Sequence, residues 1–235
     1  ITSPRWRRAW DWGFFGSSLL ATVIFGVAVG NAILGIPINE KGDFTGTFWG
    51  LLGPYPVMCG LLSVSLFAMH GCLYLVLKTP HGELHDRLRG WMWHTWGIFL
   101  VLYILTTMYT LITVERAVPN FEQFPWAGLV VIVNVLAIAN IPRAIYKDQG
   151  GQAFISSAVT IIALVCLFSL ALWPNLVTAS NDPAHSLTIG RAASSEKTLM
   201  IMFIIALIGM PLVLAYTTLI YWTFRGKVQL EGEGY

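Results

Sequence analysis

Residues 199–222 read LMIMFIIALIGMPLVLAYTTLIYW, twenty-four in a row without a charged side chain. A helix gains about 1.5 Å per residue, so a run of this kind reaches across the roughly 30 Å hydrocarbon core of a bilayer. No water-facing helix needs to be apolar on every side. Five more stretches are similarly apolar: residues 14–36, 54–77, 91–114, 126–145, which carries Arg143 near its end, and 154–173. Over the whole 235-residue chain 56% of residues are hydrophobic and only 11% are charged. A soluble domain carries roughly 25% charged residues. A surface this poor in charge needs an apolar solvent, and backbone groups inside that solvent need helices to satisfy them. The sequence therefore predicts an all-α polytopic membrane bundle with about six transmembrane helices. Residues 1–235 form a single transmembrane domain with no room for a second, soluble one.

The connections between spans fix an orientation. The N-terminal tail, the second and fourth loops and the C-terminal tail carry Arg5, Arg7, Arg8, Lys78, Arg87, Arg89, Arg143, Lys147, Arg225 and Lys227. The alternate set carries only Lys41, Arg116, Arg191 and Lys197. Basic residues accumulate on the cytoplasmic side. Both termini are thus expected in the cytoplasm, with loop 174–198 external. Trp10, Trp12, Trp91, Trp93, Trp96, Trp173, Tyr221 and Trp222 stand near span ends, where amphipathic rings favour the headgroup level. The net charge is only +2, and no basic block reads as a nucleic-acid site. Ile1 stands where an initiator methionine would be, which suggests a fragment or a processed chain.

Small residues mark packing faces. Gly26 and Gly30 are spaced so that two helix backbones can approach, with Gly16 and Gly35 further along the same span. Cys59, Cys72 and Cys166 all lie in apolar runs, which argues against a disulfide framework. Pro54 and Pro56 start a span, and Pro211 lies inside the last one, where it is expected to bend the helix.

Polar groups inside a span are functional candidates, because leaving them unpaired in hydrocarbon is costly. His70 lies about 10 Å deep and His94 about 6 Å, both from the same side. Two imidazoles from neighbouring helices can clamp a b-type haem iron, with Gly71 and Gly97 as small residues against the ring. The alternative is that His70 bonds a neighbouring helix and His94 sits at the headgroups. His81 and His85 have the spacing of a metal pair on a helix face, with Glu83 and Asp86 nearby; a solvated loop is the competing reading. Asn31, Asn134 and Asn140 are suited to tying helices together. No span carries a central carboxylate, which counts against a self-contained proton pump or cation transporter.

Read in order, several segments resemble subunit II of the cytochrome bd-type quinol oxidases. Trp10-Asp11-Trp12-Gly13-Phe14-Phe15-Gly16 and Phe25-Gly26-Val27-Ala28-Val29-Gly30-Asn31 resemble that family's third span. Pro54-Tyr55-Pro56-Val57, Gly60, Met69-His70-Gly71 and Leu77-Lys78-Thr79 resemble its fourth span and the loop after it. Trp173-Pro174-Asn175, Ala193-Ser194-Ser195 and Thr198-Leu199 resemble the last external loop. Pro211 to Tyr216 and Phe224-Arg225-Gly226-Lys227-Val228 resemble the last span and tail.

The resemblance implies an eight-helix subunit, of which this chain shows the C-terminal six. The first two spans, linked in the family to a proton route and to oxygen access, have no counterpart here. It further implies a non-haem structural subunit of a terminal oxidase in the bacterial cytoplasmic membrane. That complex oxidises membrane quinol and reduces O2 to water. The two b-type haems and the d-type haem would belong to the partner, subunit I. This chain would hold no cofactor of its own beyond a structural quinone or lipid, and would not be catalytic alone. His70 matches a family position that is not a haem ligand. The competing functions are a stand-alone transporter or channel, and a b-haem cytochrome using His70 and His94.

Overall fold

The computed structural model describes residues 3–114 and 117–227; Ile1, Thr2, Arg116 and Val228, used in reading the sequence, lie outside the described residues. Among the described residues six helices are long and apolar enough to span a membrane: α1 (Pro4–Leu34), α2 (Pro54–Lys78), α3 (Glu83–Thr113), α5 (Ala127–Tyr146), α6 (Gly150–Leu172) and α8 (Glu196–Thr223). Two short helices, α4 (Ala117–Gln123) and α7 (Ile189–Ala192), lie in the connections. The all-α polytopic architecture read from the sequence is the one observed.

Helix ends differ from the apolar runs. α1 begins at Pro4 rather than residue 14, and α3 at Glu83 rather than residue 91. Hydropathy marks where a helix enters hydrocarbon, whereas the backbone ladder continues into water. Proline at the start of α1 loses no hydrogen bond, because the first N–H groups of a helix have no intrahelical partner. α8 continues through Pro211 to Thr223.

Helix α2 is the hub. It packs against α1, α3 and α6, while α5 and α6 form an antiparallel pair that closes against α3. The central core joins Leu66, Met69, Leu73 and Val76 of α2 with Met92 and Phe99 of α3, Ile138, Ile141 and Ile145 of α5, and Ala153 of α6. Lipid tails are as apolar as these side chains, so hydrophobicity alone does not hold such helices together; close fit does. The fit is tightest between α1 and α2. A Cβ on Gly26 would stand 2.6 Å from Gly60 Cα, and one on Gly30 would stand 2.7 Å from Pro56 Cα. Only hydrogen fits at either place. Many buried positions on the two helices are small: Ala127, Ala137 and Ala144 on α5, and Ala153, Ser156, Ser157, Thr160 and Ala163 on α6.

The seam between the end of α1 and the connection leading to α2 is bonded to the loop after α6. Strands β1 (Asn175–Val177) and β2 (Leu187–Thr188) form a small antiparallel pair. Ile36 donates to Thr178 O (3.0 Å) and accepts from Ser180 N (2.9 Å). Asn181 brackets Ile38, its Nδ2 donating to Ile38 O and its Oδ1 accepting from Ile38 N. This end is thereby a folded cap. The opposite end is basic and simpler, with Arg89 paired to Asp148 at 3.2 Å across the α3 start and the α5–α6 turn.

Candidate functional site

His70 leads the polar groups within a span, and its partners come from α6, packed against its own helix α2. Its Nδ1 lies 2.7 Å from Ser157 Oγ, and its ring stacks on Phe154 with centroids 4.6 Å apart. Ser157 gives its own proton to Phe154 O at 2.7 Å. A serine hydroxyl has one proton, so Nδ1 of His70 is the donor in the pair. This network places a proton on Nδ1, so the neutral ring would carry its lone pair on Nε2. Tyr74, one turn on, has its ring 5.8 Å from Phe154, and Lys78 Nζ lies 6.0 Å from the Tyr74 ring centroid. His70, Tyr74 and Lys78 therefore share one face of α2. At its end Lys78 Nζ donates to Phe224 O (2.7 Å) and Gly226 O (3.4 Å), meeting the orphan carbonyls that close α8.

His94 lies elsewhere. Its Nδ1 is 3.0 Å from Gly90 O on its own helix, and its ring is exposed beside Trp91. The contacts of His70 and His94 share no residue. Gly71 and Gly97 have open space where a Cβ would point. His81 and His85 do meet, with rings 4.8 Å apart edge to face, but only His85 is helical; His81 precedes α3. The expected shared helix face is thus replaced by a loop-to-helix contact, because α3 starts at Glu83. Glu83 is taken by Arg87 one turn on. Among the described residues no third ligand joins the pair.

The remaining motif residues divide by what they touch. Gly26, Gly30, Pro56 and Gly60 form the α1–α2 contact. Asn31 Nδ2 donates to Val27 O (2.9 Å) and to Leu51 O (2.8 Å), fixing the turn that leads into Pro54. Thr79 Oγ1 closes α2 by donating to Leu75 O (2.7 Å). Ser195 caps α8, accepting from Thr198 N, with the two hydroxyls 3.0 Å apart. Trp173–Pro174 is a cis peptide at the foot of the cap. Trp12, Ser194, Pro211 and Tyr216 are exposed, and Gly16 and Gly226 have nothing within reach of an added Cβ.

Sequence reading missed Ser157, Asn120 and Asn181. Asn120 Nδ2 reaches three carbonyls at the end of α6, of Leu170, Ala171 and Trp173. Beside it a hollow of about 250 Å³ opens between Ile33, Val114, Leu172, Trp173 and Pro174. That is smaller than a ligand pocket for a whole lipid or quinone, and takes part of a tail at most. No catalytic constellation is assembled by these contacts: they close helices and join them.

Comparison with known proteins gives these contacts a family. The model described as cytochrome bd terminal oxidase subunit II matches residues 1–224. Cytochrome bd-I ubiquinol oxidase subunit 2 of Escherichia coli is 29% identical over 265 residues, covering 98% of this chain and 69% of that protein. Cytochrome bd ubiquinol oxidase subunit 2 of Bacillus subtilis is 25% identical, covering 95% of this chain and 65% of that one. A solved chain from the bd oxidase of Geobacillus thermodenitrificans superposes with a TM-score of 0.75 over 95% of this chain and 67% of that chain; at 15% identity it speaks for the fold. The chain is a multi-pass bacterial membrane protein and belongs to the cytochrome bd terminal oxidase subunit II family.

Proposed function

We propose that this chain is the non-haem structural subunit of a cytochrome bd-type complex that oxidises membrane quinol and reduces O2 to water. Its partner would be the haem-bearing subunit I, holding the b-type and d-type haems. The match of the family model over residues 1–224 carries this reading. The relatives named as ubiquinol oxidase subunits support the substrate. The packing supports a structural role: the polar side chains inside the spans are used to join helices, as with His70 to Ser157 and Asn140 to Ser156. The chain corresponds to the last six spans of a longer, eight-span subunit. With basic residues concentrated at the end opposite the cap, both termini lie in the cytoplasm and loop 174–198 lies outside.

In this reading the chain adds no electron carrier. It offers subunit I and the surrounding lipid a helical flank, and the hollow beside Asn120 has room for at most part of an acyl or isoprenoid tail. Capture of the tagged chain from its own membranes in mild detergent tests this. A stoichiometric partner with b- and d-type absorption bands is expected. A chain recovered alone, with its own haem spectrum or with transport activity in liposomes, would overturn it.

A further inference from the structure

Three buried polar atoms lack a partner among the described residues: His85 Nδ1, Thr106 Oγ1 and Asn134 Oδ1. His85 sits at the basic end, near water. The other two are inside the membrane-spanning bundle, where no bulk water reaches them. Asn134 lies about 10 Å along α5 from its start, is 0% exposed, and donates from Nδ2 to Tyr103 OH at 3.0 Å. Thr106 is 5% exposed and stands one turn from Tyr103 on α3, the spacing that places two side chains on one helix face. One turn further, Thr110 Oγ1 donates to Thr106 O at 2.7 Å and so accepts from Tyr55 OH of α2 at 3.0 Å. The interior face of α3 thus carries Tyr103, Thr106 and Thr110 in a column, with paired groups above and below an unpaired one.

Amide orientation does not remove the problem. With Asn134 reversed, Tyr103 would donate to Oδ1 and Nδ2 would become the orphan. An orphaned polar atom in a low-dielectric interior is costly, and buried polar groups of this kind are usually met by ordered water. We infer that ordered internal water occupies the interior around Tyr103, donating to Asn134 Oδ1 and bonding Thr106 Oγ1. The chemistry selects water over other small occupants. A cation would need a carboxylate, and none lies on these spans at this depth. An apolar gas would leave both atoms unmet. Only a molecule that both donates and accepts satisfies a hydroxyl and either end of an amide. The inference is independent of which complex the chain serves, since it concerns the chain's own interior.

The test uses the full chain with whatever co-purifies from its membrane. A density map fine enough to show ordered solvent is expected to hold a peak within hydrogen-bond distance of Asn134 Oδ1. A map in which that oxygen is met directly by a protein donor, or by nothing, overturns the inference. The sign of one substitution gives a second readout. Thr106→Val keeps the shape and removes the hydroxyl. If water bonds that hydroxyl, the variant loses an interaction and its melting temperature falls by a few degrees. If the hydroxyl is dry, removing it relieves a burden, so an unchanged or raised melting temperature speaks against the proposal.

Discussion

Leu73 and Leu212 are the same side chain on helices that are both apolar enough to span a membrane, yet Leu73 is 1% exposed and Leu212 is 67% exposed. The contrast extends to the whole of their helices. α2 touches three neighbours and buries ten of its residues, whereas α8 buries none. Apolarity therefore decides that a segment enters the bilayer but does not decide that it packs. On α2, Gly60 and Pro56 lie in close approach to α1, and His70 and Tyr55 hook to other helices; on α8, Gly209 has open space around it. Among the described residues α8 has a cap internal to its own start and the Lys78 bonds at its far end. A helix tied at one end, with bare sides, is a helix whose lateral neighbours are lipid or another chain.

This difference ranks the effects of substitution. Gly26→Leu should be the most damaging, because its Cβ alone would fall 2.6 Å from Gly60 Cα. Overpacking there is expected to cost about 3 kcal/mol and to part α1 from α2; thermal unfolding and an α1–α2 distance probe would record it. A variant as stable as the parent would mean that the glycine contact does not hold the pair. His70→Ala comes next. It removes the bond to Ser157 and the stack on Phe154, for about 2 kcal/mol. His70→Phe, which keeps a ring, should recover part of that loss in the same melting assay; no recovery would assign the whole effect to the hydrogen bond.

Smaller effects sharpen the comparison. The Asn140–Ser156 pair joins α5 and α6 at 2.9 Å, and a double-mutant cycle should give a coupling of about 0.6 kcal/mol, the usual scale for such bonds in membranes. Leu212→Ala on α8 should change stability by less than about 0.5 kcal/mol, since the side chain is not packed within this chain. A large loss at Leu212 in the purified chain would show that α8 is packed after all. The same substitution in the assembled complex then reports whether a partner has covered it.

What the sequence made legible follows the same division. The six spans were readable because length without charge is a property of single segments. Gly26 and Gly30 were readable as a packing pair from their spacing. Gly16 and Gly35 looked similar in sequence, yet Gly16 has open space around it, and Gly35, with φ of 100°, is the residue that ends α1. Nothing local distinguishes these roles. The partner of His70 was not readable, because Ser157 is 87 residues away and is brought in only by the α2–α6 approach. The cap over the α1–α2 seam was not readable either. Its strands have three and two residues, too few for a period-two pattern, and it is joined to the bundle largely through backbone atoms around Ile36 and Ile38.

In its proposed role this chain is a haem-free helical flank, with its intramembrane histidine spent on packing. Replacing His70 and His94 together by glutamine, in the chain purified with its native partner, tests that directly by quantitative haem analysis. The complex should keep its full b- and d-type haem content while losing some thermal stability. Loss of a b-type haem in proportion to the variant would contradict the account and return the two histidines to the role of iron ligands.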